Sequence, residues 1–299
     1  MSYQNQFLTH EIIFNSNLGP FTLRKDLHSF LQLHKESTMN LTLIIPFFLG
    51  CLAGYLINYL ADVLPVDLKL AQPCCRNPIC HAHIRWGDYF LLRRCQACHK
   101  ARSPRVYLVL LVTIFLTIHV WLSPPAKLGF LLGFIVFIYL FLVALIDFET
   151  RLVLRPVSLI GLVVYVSAGL VMRTWQETLL GGATGFGIMF LLYLLGVLFS
   201  RWRNKRLGNV QDGEEALGFG DVTLATLLGM LLGWPLICFN LLIGILLAGV
   251  FSIFLMLALL LSGKFRSLRV FFAFGPFFIL TAFFMIYFPK WVSILVKVK

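Results

Sequence analysis

Long apolar stretches alternate with short, mostly basic polar segments along almost the whole chain. Residues 106–122, 128–146, 179–199 and 236–261 contain no Asp, Glu, Lys or Arg. Each is near or above the roughly 20 residues that carry an α-helix across the hydrocarbon core of a bilayer. The pattern predicts an all-α fold: a polytopic membrane bundle of about eight transmembrane helices. They fall near residues 41–61, 106–122, 128–146, 152–172, 179–199, 221–233, 236–261 and 271–288. The 221–233 segment is short for a full crossing, which calls for tilt, a longer apolar flank or partial re-entry. In 179–199, Gly181, Ala183, Gly185 and Gly187 bring small side chains together, a pattern for close packing against a neighbouring helix.

Composition agrees with the pattern. A mean hydropathy of +0.87, with 59% apolar and 13% charged residues, excludes an ordinary soluble domain. The net charge of +12 would suit nucleic acid, but the placement of the charge points to membrane lipid, with no nucleic-acid partner. Segments 62–105, 147–155, 200–220 and 262–270 hold 17 of the 25 Lys and Arg residues; the opposite side holds 8. By the positive-inside rule the richer side is cytoplasmic, where its basic loops face anionic headgroups.

The first 38 residues are polar and mixed in charge, without a signal-peptide pattern. Met39 directly precedes an apolar run, so residues 1–38 are expected to be an extension and Met39 the native start. The remainder divides into 39–105, the first span with a cysteine-rich loop, and 106–299, the remaining spans.

Five of the seven cysteines lie in that loop: Cys74, Cys75, Cys80, Cys95 and Cys98. In a cytosolic setting metal binding is a better reading of them than disulfides. Cys95-Gln96-Ala97-Cys98 has the spacing that lets two thiolates share a tetrahedral ion, and Cys75 with Cys80 supplies a looser second pair. Four thiolates would close a structural Zn²⁺ site with no position open to water, and the ion would cross-link a loop too small to bury much core. Cys74 in place of Cys75, the ring nitrogens of His81, His83 and His99, or plain free thiols remain alternatives. Cys51 and Cys238 sit in apolar spans as packing residues.

The candidate chemistry lies in two acidic motifs at the edges of spans: Ile146-Asp147-Phe148-Glu149-Thr150-Arg151 and Gly218-Phe219-Gly220-Asp221. A carboxylate at the rim of a bilayer-spanning segment is costly and usually exists for a pathway, a partner or a reaction. Asp147 ends one span and Asp221 begins another, so both are expected at one depth on one side. Two carboxylates close enough to share a proton can act as an aspartyl hydrolase pair, one acid protonated while its partner activates water. Gly218 and Gly220 would admit a close backbone approach beside Asp221 and backbone angles that other residues avoid. The alternative is that Asp147 merely pairs with Arg151 or Arg155.

At these residues a family resemblance becomes specific. Gly218-Phe219-Gly220-Asp221 resembles the GxGD motif of membrane aspartyl proteases. Asp147-Phe148-Glu149 followed by Leu154-Arg155-Pro156 resembles the first aspartate motif of prepilin peptidases. Gly50-Cys51-Leu52-Ala53-Gly54 with Asn58-Tyr59, the cysteine loop with Ile84-Arg85-Trp86 and Ser103-Pro104-Arg105, and Phe274-Gly275-Pro276 follow in the family's order. The resemblance covers about residues 41–288. It implies a bifunctional enzyme of the bacterial inner membrane that cleaves the leader of type IV prepilins or pseudopilins at the cytoplasmic face. Such an enzyme can then N-methylate the new terminus with S-adenosylmethionine. Asp147 and Asp221 would be the catalytic dyad, Glu149, Gly218 and Gly220 its support, and Cys75, Cys80, Cys95 and Cys98 the zinc ligands. The chain departs from the family's pattern at Thr223, where Lys is usual, at Gly87-Asp88-Tyr89-Phe90, where the insertion is shortened, and at Leu110, where Glu is common. The last two departures fall in the half associated with methyl transfer.

Two other functions fit parts of the pattern. A proton or ion transporter using Asp147 and Asp221 would need polar groups deeper in the spans, and a zinc-stabilised assembly scaffold would keep both aspartates without turnover.

Overall fold

The computed structural model describes residues 20–67, 70–75, 80, 82–151, 154–207, 218–261 and 274–289, with the side chains of 20–41 and 203–207 excepted. His81, Asp212, Glu214, Glu215 and the basic loop 262–270 lie outside the described residues. Residues 1–48 form one unit, helical where described, and 49–299 form another.

The described residues form nine helices: α1 (Pro20–Asp67), α2 (Trp86–Phe90), α3 (Pro104–Leu122), α4 (Gly129–Thr150), α5 (Arg155–Met172), α6 (Trp175–Leu207), α7 (Phe219–Leu232), α8 (Leu236–Leu261) and α9 (Gly275–Tyr287). The all-α membrane architecture holds, and eight full-length crossings are not confirmed among the described residues. Six helices are long and apolar enough to span: Thr42–Pro65 of α1, α3, α4, α5, Trp175–Trp202 of α6, and α8. With 14 and 13 residues, α7 and α9 rise only about 21 and 20 Å at 1.5 Å per residue, short of a hydrocarbon core of about 30 Å.

Helix boundaries follow local chemistry. Proline stands in the first turns of α3, α5 and α9, where its missing N–H leaves no bond unmade. Gly233 stops α7 at φ 72°, a left-handed conformation in which glycine carries no Cβ penalty, and its N–H reaches back to Gly229 O at 2.8 Å.

Small residues fix the closest helix pairs. A Cβ on Gly181 would collide with Gly229 O, and one on Gly185 with Ala225 O, so α6 and α7 lie backbone to backbone and antiparallel. This is the packing predicted for the small-residue segment, although Gly187 faces open space and takes no part. On α1, Gly50 and Gly54 lie against α3, where added Cβ atoms would meet Ile114 Cα at 2.7 Å and Thr113 Oγ1 at 2.5 Å.

The core lies among α4, α5, α7 and α9 and includes Phe137, Leu140, Tyr165, Leu228, Leu231 and Phe278, all 1% exposed or less. Across the most apolar window of α4, 44% is buried, against 17% in α6 and α8, so α4 is central while α6 and α8 leave most of their surface to lipid. The pairing of α4 with α9 is antiparallel: Tyr287 donates to Gly133 O at 2.5 Å at one end, while Gly275 touches Asp147 at the other. The last turn of α4 therefore meets the first turn of α9.

Candidate active site

Asp147 sits in the last turn of α4. Two bonds hold that turn: Arg151 N–H donates to Asp147 O at 2.9 Å, and Thr150 Oγ1 donates to Ile146 O at 2.8 Å. Arg151 closes the helix in a left-handed conformation, φ 56°, uncommon for a residue other than glycine. Asp147 is 4% exposed, and its Oδ2 is buried with no hydrogen-bond partner among the described residues. The oxygen packs where a Cβ on Gly275 would stand, beside Leu224 of α7. Only glycine at 275 leaves room for the carboxylate.

Asp221 lies in the first turn of α7, half-buried and close enough to Asp147 for that charge to act on it. The two motifs, 74 positions apart in sequence, thus meet at one end of the bundle. Arg151 and Arg155 are exposed; neither reaches the buried Asp147 Oδ2.

The role expected for Gly218 changes. It precedes α7 at φ −76° and ψ 143°, ordinary extended backbone, and among the described residues its Cβ position meets nothing closer than Gly220 N at 3.9 Å. Gly220 is helical and half-buried. At Gly218 the motif leaves open space beside Asp221, not an unusual backbone angle; the close approach is made by Gly275 instead.

Glu149 is not a solvated acid. Arg105 Nη1, from the start of α3, donates to its two carboxylate oxygens at 2.8 and 2.6 Å. The other arm of the guanidinium, Nη2, donates to Asp62 Oδ1 of α1 at 2.6 Å and approaches Asn58 Oδ1 at 3.4 Å. All three charged side chains are 10–14% exposed. Sequence reasoning missed this junction because its partners lie more than 40 positions apart. The signal was present in the Arg105 and Asn58 that the family resemblance already contained.

The cysteine loop folds back on itself. Cys75 N–H donates to Ala82 O at 2.8 Å and Ile84 N–H to Pro73 O at 2.7 Å, while Cys95 N–H and Lys100 O close a second turn at 3.2 Å. These turns bring together the Sγ atoms of Cys75, Cys80, Cys95 and Cys98, all within 4.8 Å of one another. The Cys75–Cys98 and Cys80–Cys95 separations are 3.6 and 3.8 Å. Those distances are far beyond a disulfide of about 2.05 Å. They match the edge of about 3.8 Å expected for four sulfurs each about 2.3 Å from a central ion. The donor set fits a tetrahedral metal. Backbone N–H groups of Cys98 and Ala97 point at the Cys95 thiol and lower its pKa to about 6, favouring the thiolate that a metal requires. Cys74 turns away, its sulfur 3.3 Å from His83 Nδ1, which decides between the adjacent cysteines.

An aromatic platform ties this loop to α1. Tyr55 donates to Phe90 O at 2.8 Å, Tyr59 to Ala71 O at 2.9 Å, and Tyr89 to Asp62 Oδ2 at 3.2 Å, with Arg102 4.4 Å above the Tyr89 ring. Beside the cluster, lined in part by Cys75 and Cys95, lies a cavity of ≈ 420 Å³ whose polar lining includes Asp62, Lys100, Arg102 and Arg105.

Fold and site together define a polytopic helical membrane protein with two neighbouring aspartates at one end of its bundle and a four-cysteine cluster beside its first span. Residues 134–253 match the profile of the type IV leader peptidase family, which supports an enzyme with protease activity. The chain is similar to proteins named prepilin leader peptidase/N-methyltransferase. The one from Klebsiella pneumoniae is 29% identical over 207 residues, covering 63% of this chain and 84% of that protein. That of Aeromonas salmonicida (strain A449) is 28% identical over 193 residues, 62% of this chain and 61% of the relative. That of Aeromonas hydrophila is 28% identical over 182 residues, 58% of each. The chain thus spans about three-fifths of the length of the Aeromonas relatives. No solved structure matches it.

Proposed function

We propose that the protein is a membrane aspartyl endopeptidase that cleaves the leader from type IV prepilins or pseudopilins. The reaction would take place at the cytoplasmic face of the bacterial inner membrane, with Asp147 and Asp221 as the catalytic dyad. One observation carries the reading: a buried Asp147 oxygen, without a hydrogen-bond partner among the described residues, lies within electrostatic reach of Asp221, in a chain that matches the leader peptidase profile.

Two like charges in an apolar site do not both ionise easily, so one proton serves both carboxylates. The ionised aspartate takes a proton from water as the oxygen attacks the scissile carbonyl, while the protonated one donates to the carbonyl oxygen; as the tetrahedral intermediate collapses, the first gives its proton to the leaving amine and the second recovers one from the hydroxyl. The open space beside Gly218 admits the substrate backbone, and Gly275 lets the dyad lie tight against α9. The substrate's apolar segment would enter between helices while its basic leader stays at the surface, where 17 of the chain's 25 cations also lie. The transporter alternative finds little support, since Asp147 is the only carboxylate among the described buried residues.

Cys75, Cys80, Cys95 and Cys98 would hold a structural Zn²⁺ that cross-links the loop. A second activity, N-methylation, has its own support in the 420 Å³ cavity, a size typical of small-molecule sites. S-adenosylmethionine, when bound, supplies an electrophilic methyl group. Buried guanidinium nitrogens of Arg102 and Arg105 that lack partners would suit its carboxylate, and Asp62 its amino group. In this division 39–105 forms the metal and methylation region and 106–299 the peptidase.

The test is in-vitro cleavage of a prepilin by purified protein, read by mass spectrometry, which reports the cleaved bond and any added methyl together. Cleavage by the native chain and its loss in Asp147→Asn and in Asp221→Asn are the expected results; processing that survives both substitutions refutes the dyad.

A further inference from the structure

Arg105 is placed to do more than balance charge. Its guanidinium grips Glu149 with one nitrogen and Asp62 with the other, joining α1, α3 and α4 at one point. Glu149 lies two residues beyond Asp147, in the same final helical turn. That turn is the last of α4: Arg151 ends the helix in a left-handed conformation and is itself exposed. The Asp147 carboxylate, lacking a hydrogen bond of its own at Oδ2, depends on its backbone for position.

The junction is itself braced. Asn58, fully buried, donates to Gly54 O at 2.9 Å and Val106 O at 3.4 Å, fixing α1 against the first turn of α3. Asp62 accepts from Tyr89, and Tyr89, 3% exposed, packs in one apolar cluster with Cys75, Ile84 and Cys95. A continuous run of contacts therefore leads from the cysteine loop through Tyr89, Asp62, Arg105 and Glu149 to the turn that carries Asp147.

We infer that Arg105 is a positioning residue for peptide cleavage, holding Asp147 at its working distance from Asp221 through Glu149. The inference rests on the dyad reading above. Its physical basis is that a two-armed guanidinium fixes both distance and direction, whereas a single point charge fixes neither. A displacement of about 1 Å in a catalytic group costs up to roughly 10²-fold in rate.

The experiment is steady-state prepilin cleavage by the full chain in detergent, without S-adenosylmethionine, alongside thermal unfolding. Arg105→Gln is expected to lower kcat about 10- to 100-fold with KM changed less than about twofold, as for a residue that acts through Glu149 and not on the substrate. Arg105→Lys should recover part of the loss. Glu149→Gln, which keeps the shape and removes the charge, should resemble Arg105→Gln, and the double variant should be no worse than either alone, as expected for two groups acting through one contact. Tyr89→Phe should have a smaller effect in the same direction. Native kcat in Arg105→Gln, or a loss that tracks unfolding temperature and is not recovered by Lys, overturns the inference. Asp147→Asn separates the two failures. If that variant still cleaves, the dyad reading falls; if it is inactive while Arg105→Gln is fully active, only the positioning role falls.

Discussion

The cysteine cluster and the aspartate pair are built on opposite principles. In the cluster, two tight backbone turns bring four sulfurs to the spacing of a tetrahedron, so the ligands already face one another. At the aspartate pair the helices bring two carboxyl groups together and leave a buried oxygen without a partner among the described residues. The first arrangement closes on itself and suits a structural ion. The second is costly at rest, since a buried polar group without a hydrogen bond is disfavoured, and such costs gather where chemistry is done.

The contrast can be broken most directly at the dyad. Asp147→Asn or Asp221→Asn should reduce cleavage by about 10²- to 10⁴-fold, the usual range for losing acid–base catalysis, while metal content and thermal stability stay near native values. A parallel loss of stability would mean that the pair is structural. Next in size is Gly275→Ala, whose methyl group would occupy the place of Asp147 Oδ2. Cleavage is expected to fall at least tenfold, with an overpacking penalty of about 1–3 kcal/mol. Gly187→Ala or Gly249→Ala, where a Cβ meets nothing within 4 Å, serves as the control and should leave rate and stability unchanged.

At the cluster the order of effects reverses. Cys95→Ser, or removal of metal by a chelator, should lower the unfolding temperature and the bound metal measured by atomic emission, with a smaller effect on cleavage. Cys74→Ser should change none of the three, because that sulfur faces His83 instead of the cluster. Metal lost from Cys74→Ser but retained by a Cys75→Ser variant would reverse the assignment of the adjacent cysteines.

What could be read from sequence followed the range of the interactions. Apolar runs announce membrane helices because a bilayer imposes length and composition residue by residue, and paired cysteines announce a metal because tight turns are local. Adjacent Cys74 and Cys75 could not be told apart, since the choice depends on a hairpin that points one sulfur inward and the other toward His83. Glu149 could be singled out as important, but its link to Arg105 could not, because nothing along the chain specifies a bond across 44 positions. The glycines beside Asp221 suggested special backbone angles, yet the close approach falls at Gly275, on a helix whose contact with α4 only tertiary packing creates. Of about eight expected spans, six helices are long and apolar enough to cross; the shortness of 221–233 was legible, while that of α9 was not, because apolarity marks what enters the membrane but not where a helix will stop.

The shortness of α7 and α9 has a physical consequence for the surrounding membrane. Both lie beside the aspartates and fall about 9–10 Å short of an average hydrocarbon core. With α7 buried among its neighbours, water has to descend into a dent in the bundle to meet the helix ends. A hydrolase that needs water and a peptide bond at the same spot gains from such a dent. Peptide cleavage should therefore run faster in bilayers of short-chain lipids than in thick ones.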